Sequence, residues 1–177
     1  MFLATGLSAQ DKGTVKESFE SNREIRKAQH EAEIQAAFDS TSQLIDSMQF
    51  VLEADYLANQ YGYRIPVNSN LNFIMVNSKK AVLQTGNNSG FGYNGVGGVT
   101  TEGQISNLRV FKNPKRKTFN LSWDVNTPLG TYSIFMDASA SGRASATLSG
   151  LWPGKLTYDG YIVPLEQTRT FKAMNTY

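Results

Sequence analysis

From residue 47 onward the chain alternates between apolar and polar positions. In "SMQFVLEADYL", Met48, Phe50, Leu52, Ala54 and Tyr56 share one face, and Gln49, Glu53 and Asp55 point the other way. "LNFIMV" and "KAVLQT" flank "NSK", which predicts a hairpin. "TFNLSWDVN" sets Phe119, Leu121, Trp123 and Val125 against Thr118, Asn120, Ser122 and Asp124. "TPLG" then predicts a turn through Pro128 and Gly130. "TYSIFMDASA" places Tyr132, Ile134, Met136, Ala138 and Ala140 on one face. "SG" turns the chain, and "RASATLS" returns with Ala144, Ala146 and Leu148 inward. "WPG" turns it again before a last strand, "KLTYDGYIV". Strands with one polar face belong to antiparallel sheets that pack on one side and are wet on the other.

Before residue 40 the period is different. Residues 14–38 lack proline and internal glycine and are rich in Glu, Lys, Gln and Ala, a composition that favours helix. The apolar stripe is thin: Phe19, Ile25, Ala28, Ala32 and Ala36, with Ile34 and Phe38 at the end. Such a helix lies against a sheet by one narrow face or stands partly detached as a spacer. Asp39, Ser40, Thr41 and Ser42 offer turn or cap positions that end it.

The fold class that follows is mainly β (α+β). An N-terminal helix over 11–39 precedes a β domain over 40–166. That domain holds eight or nine antiparallel strands in a curved sheet, barrel or sandwich. The small residues Ala138, Ala140, Ala144 and Ala146 predict a tightly curved region or close packing by the helix. Residues 167–177 read as a loosely held C-terminal tail.

Composition narrows the chemistry. The 177 residues suit one domain and contain no cysteine, which removes disulfides, thiolate metal sites and a cysteine nucleophile. With 17 Lys+Arg against 15 Asp+Glu there is no electrostatic footprint for nucleic acid. No apolar run reaches the roughly 18 residues of a membrane-spanning helix. "MFLATGLSAQ" reads as the back half of a secretory signal, an apolar run followed by small residues with cleavage next to Ala9. The expectation is therefore export, to the periplasm or the cell surface.

The run "TGNNSGFGYNGVGGVTTEG" contains G-x-G-x-x-G at Gly90, Gly92 and Gly95. A dinucleotide turn needs a helix after those glycines, so that its N-terminus meets the pyrophosphate. "VGGVTTEGQISNLRVF" reads instead as strand and turn. The acidic residue expected about 20 positions on would fall in the basic "FKNPKRK". No nucleotide and no other cofactor is implied. Seven glycines from Gly86 to Gly103 fit tight bends and close backbone approach in a β structure.

"GYNGVGG" followed by "TTEGQIS", with "FIMVNSKKAVLQ" before it and "SGRASATLSG…LTYDGYIVPL" after it, resembles an uncharacterised family of exported Gram-negative bacterial proteins, the domain of unknown function 4251 family. The resemblance covers about residues 38–166. Gly92, Tyr93, Asn94 and Gly95 carry the G-Y-N-G motif that marks the family. It implies export and a mainly β domain, and it implies no reaction. Those four residues are read as a glycine-permitted turn that shapes the fold or meets a ligand.

Other candidate chemistry is thin. His30 is the only histidine and sits on the helix beside no nucleophile, so neither a Ser-His-Asp triad nor a histidine metal site is expected. Glu53, Asp55, Asp124 and Asp137 are the acids a hydrolase would use, if two of them met in one concave site. On exposed strand faces they read as solvated surface. Lys112, Lys115, Arg116 and Lys117 in "FKNPKRK" read as a charged hairpin tip guarding a sheet edge; contact with an acidic sugar or lipid headgroup is the alternative. Tyr61, Tyr63, Tyr93 and Trp152 near turns close a core end or stack on a ligand. The leading reading is a non-enzymatic exported binding or envelope-associated module for a glycan, peptide, lipid or envelope component. The alternatives are a carrier holding a small apolar or lipid ligand in a barrel cavity, and a carboxylate-dependent hydrolase.

Overall fold

The alternating segments close into a barrel behind one long helix. The computed structural model describes residues 11–87, 97–150 and 154–176. The helix α1 spans Asp11–Ser47. The strands are β1 (Gln49–Asn59), β2 (Arg64–Pro66), β3 (Phe73–Asn77), β4 (Lys80–Thr85), β5 (Val99–Asn113), β6 (Thr118–Thr127), β7 (Gly130–Ser139), β8 (Arg143–Ser149) and β9 (Lys155–Pro164). All pairings are antiparallel, and β1 pairs with β9 from Phe50↔Pro164 to Asn59↔Leu156. Eight strands, β1 and β3–β9, therefore form a closed ring. β9 occupies one edge of β1. On the other edge β3 takes Gln49–Glu53 and β2 takes Tyr56–Ala58, end to end.

The predicted faces hold on most strands. Phe119, Leu121, Trp123 and Val125, with Tyr132, Ile134, Met136 and Ala138, point into the barrel and are buried. The "NSK" and "TPLG" turns are in place, closing Asn77↔Lys80 and Thr127↔Gly130. One face assignment needs correction. Tyr56, expected inward, is exposed, and Leu57 is buried in its stead. The β1–β9 register shifts between Ala54 and Tyr56. The extra residue of that bulge, Asp55, reverses which side every later residue faces.

The helix also runs further than expected. Asp39–Ser42 do not end it; it continues to Ser47. Two of the polar side chains that looked like caps, Thr41 and Ser42, are used for tertiary bonds. Thr41 Oγ1 donates to the Ala140 carbonyl at 2.8 Å, and Lys112 Nζ donates to Ser42 Oγ at 2.8 Å and pairs with Asp46. Phe38 stacks on Phe119 with ring centroids 4.6 Å apart, and Ile45 is fully buried. These last turns plug the barrel end where β1 begins. The small residues Ala138 and Ala144 face each other across β7–β8 and are buried in the same core as Phe38 and Ile45. By contrast, every side chain from 19 to 33, His30 included, is exposed. The basic hairpin between β5 and β6 clasps the helix: besides Lys112, Lys117 Nζ donates to Gln35 and lies 5.2 Å from the Phe38 ring centroid.

The tail is not loosely held. Its backbone bonds run from Leu165 N–H to the Gln49 carbonyl, from Phe171 N–H to Asn70, and from Thr176 N–H to Thr100. Thr168 Oγ1 donates to Glu53 at 2.6 Å, and Lys172 pairs with Glu102. The segment thus straps the outside of β1, β4 and β5. Beneath it lies a second small apolar cluster of Val51, Phe73 and Val82, against which Leu165 packs. The Lys172 hydrogen bond holds the Glu102 carboxyl below its usual value, and Lys80 adds to the effect.

Candidate functional site

Among the described residues, the barrel end opposite the helix plug is open. At this end β1 finishes at Asn59, β4 at Thr85 and β8 at Ser149, while β5, β7 and β9 begin at Val99, Gly130 and Lys155. The mouth leads into a cavity of about 550 Å³. Its wall is Leu83, Leu148 and Leu156 with the rings of Tyr132 and Tyr158, and its rim carries Asn59, Gln60, Tyr61 and Lys155. That size and an apolar wall with few polar groups are the marks of a small-molecule pocket.

The alternation of the strands builds this wall. Leu83, Leu148, Leu156 and Tyr158 are inward residues of β4, β8 and β9. Leu148 lies opposite Leu156, and Ala146 opposite Tyr158. The core fills the middle of the barrel, but near the mouth these side chains do not meet across it. Tyr158 lies in the cavity wall, fully buried, its hydroxyl donating a long 3.4 Å bond to the Gln84 carbonyl. Burial, with a smaller contribution from Tyr132, pushes this phenol well above the ordinary tyrosine value. It stays neutral throughout the physiological range and offers a ring rather than a proton-transfer group. Thr101, next to Leu83 in the β4–β5 register, is 2 % exposed and also lines the cavity. Its hydroxyl has no hydrogen-bond partner among the described residues.

Two comparisons place this fold. A family model described as a domain of unknown function (DUF4251) matches residues 32–162. The chain belongs to the DUF4251 family. The crystal structure of a DUF4251 family protein from Bacteroides eggerthii is similar, with a TM-score of 0.63 and 29% identity over 75% of this chain and 91% of that one. No curated protein matches the chain.

In this DUF4251 domain the residues singled out by sequence that are among the described residues do not come together as a catalytic set. Gly92, Tyr93, Asn94, Gly95 and Trp152 lie outside the described residues. The described flanks of the glycine run bear on its reading. Among the described residues the element that follows the run is β5, an antiparallel strand from Val99 paired with β4. A Cβ on Gly98 would lie 2.2 Å from the Thr85 carbonyl oxygen, the close backbone approach expected of these glycines. Tyr61 lines the cavity rim; Tyr63 is exposed.

The four acids lie on the outer face of the DUF4251 barrel, Glu53 and the exposed Asp55 close together on β1, Asp124 on β6 and Asp137 on β7. Glu53 accepts from Thr168 and the Arg169 N–H under the strap. Asp124 accepts from Asn107 Nδ2 and Ser133 Oγ, each at 2.7 Å, and those bonds hold its carboxyl below the usual range. Asp137 accepts from Asn120, four positions from Asp124 along β6 and so about 13 Å away by strand rise. Asp137 lines a shallow outer depression with Asp159, an acid the sequence reading did not single out. Asp159 is already engaged by Arg64 and by Ser145 Oγ. None of the four lines the mouth cavity. Thr101 was also passed over. The signal available was the doublet "TT" in an alternating strand, which must turn one hydroxyl inward.

Proposed function

We propose that this protein is a binding module that takes a small, largely apolar ligand into the open mouth of its barrel. The observation that carries this reading is the cavity of about 550 Å³ with its wall of leucine and tyrosine side chains. The opposite end is stopped by Phe38, Ile45 and their neighbours, so among the described residues the barrel offers a ligand one opening. The barrel is neither a hollow tube nor completely filled by its own side chains. That arrangement suits the holding of a ligand better than its chemical conversion, which would need acids or nucleophiles where the cavity has apolar carbon.

The test is occlusion. Leu148→Trp places an indole in the cavity. A fluorescent apolar probe such as 1-anilinonaphthalene-8-sulfonate should bind the native protein in the micromolar range, and the variant should bind it at least tenfold more weakly with its circular dichroism unchanged. Equal binding by both proteins would move the site elsewhere. Export is part of the same proposal and is supported by the sequence of Met1–Gln10 and by the family resemblance. N-terminal sequencing of the mature protein should find the chain beginning just after Ala9; an intact Met1 would count against it.

A further inference from the structure

Of the polar groups that line the cavity, two at different depths have no hydrogen-bond or ion-pair partner among the described residues. Deep in the wall is the Thr101 hydroxyl, buried and unbonded. A buried hydroxyl without a partner costs free energy, and a ligand that supplies one recovers it. At the rim is Lys155, exposed, with no ion pair among the described residues. No Asp or Glu among the described residues lines the cavity, so nothing there competes for that ammonium. Between the two levels the wall is Leu83, Leu148, Leu156 and the tyrosine rings.

We infer that the ligand is bipolar: an apolar body with a hydrogen-bonding group at its inner end, met by Thr101, and an anionic group at its outer end, met by Lys155. The inference rests on the cavity being the binding site, and it goes further by assigning ligand chemistry to two residues. A purely apolar molecule would leave Thr101 as it is. A ligand with a buried charge would find no counter-ion at that depth. The hydroxyl both donates and accepts, so the inner group is a hydroxyl or carbonyl.

The experiment uses isothermal titration with three probes, decanoate, ω-hydroxydecanoate and 1,10-decanediol, on the native protein and the variants Thr101→Val and Lys155→Ala. In the native protein ω-hydroxydecanoate should bind about fivefold more tightly than decanoate, the factor for one neutral hydrogen bond. ω-Hydroxydecanoate should bind about threefold more tightly than 1,10-decanediol, which keeps the inner hydroxyl and lacks the charge, at low salt, and the two should converge at high salt. Thr101→Val should reverse the first preference and leave the second intact. Lys155→Ala should do the opposite. Because the Thr101 hydroxyl has no bond to lose, the valine variant should melt no lower than the native protein. Equal binding of decanoate and ω-hydroxydecanoate by the native protein, or a hydroxyl preference that survives Thr101→Val, overturns the assignment of the inner group. A carboxylate preference that survives Lys155→Ala overturns that of the outer one. Silence of all three probes on the native protein overturns the cavity reading itself, a separate result from the loss of one preference.

Discussion

Gly160→Ala is expected to lower stability by about 3 kcal/mol, which for a chain of this size is a melting shift of about 6–12 °C. Gly160 lies in β9 opposite Ala54, where β1 meets β9 and the barrel closes. A Cβ built there would sit 1.8 Å from the Glu53 carbonyl oxygen and 2.8 Å from the Ala54 Cα. Those are backbone atoms, and no rotamer change removes them. The strands would have to separate at the seam, just before the bulge at Asp55. The side chain of residue 160 also points inward, among Ala54, Ala144 and Ala138, where the helix end packs. Overpacking one position would therefore disturb the seam and the plug together. Thermal and urea denaturation of the alanine variant check this. A melting temperature within about 2 °C of native would show that the seam is soft.

Gln84→Leu should release the C-terminal strap. Gln84 is fully buried although it faces outward from β4. Its Nε2 donates to the Leu71 carbonyl at 3.2 Å and the Phe171 carbonyl at 2.8 Å. Its Oε1 accepts from the Ala173 N–H at 2.9 Å and from Thr100 Oγ1 at 3.1 Å. Leucine fills the same space and satisfies none of them. A buried amide or carbonyl left unbonded costs about 1–3 kcal/mol, so the strap lowers its free energy by lifting into water. The expected loss is about 2–4 kcal/mol, because detachment limits the penalty. Amide exchange from Thr168 to Thr176 should accelerate, and trypsin should cut after Arg169 and Lys172 before the barrel unfolds. Protection equal to native in that segment would refute the role of Gln84.

Acid should loosen the same strap. Glu102 has a folded-state pKa below its unfolded value. Its contribution is therefore complete above the ordinary carboxylate range and disappears as pH falls through the lowered value. Exchange at Lys172 and its neighbours should rise below about pH 4, and Glu102→Gln should show that looseness already at neutral pH.

Much of the barrel was legible because its strands have one wet face. Alternation through "TFNLSWDVN" and "TYSIFMDASA" located the core residues of β6 and β7, and the turn chemistry located their hairpins. Three features escaped, each for a physical reason. The bulge at Asp55 depends on how β1 meets a strand at the far end of the chain, which no local pattern records. The burial of Gln84 has no local sign, because a glutamine in a strand gives no hint of a distant segment that covers it; only the returning strap makes that side of β4 an interior. The helix end looked like a string of caps because Ser and Thr serve equally well to end a helix and to bond a neighbouring strand. The cavity is harder still. It arises where inward side chains fail to meet, and a list of leucines and tyrosines reads the same whether or not they touch.

The strap has a practical bearing on how this protein is handled. It carries the chain to Thr176, whose N–H donates to the Thr100 carbonyl at the start of β5, on the lip of the mouth. The helix joins the barrel at the other end. An affinity tag or fluorophore placed after the strap would crowd the opening and interfere with any ligand assay. The same group carried on the solvated part of α1 would leave the opening clear, so the point of attachment decides whether a binding measurement reports on the native mouth or on the tag.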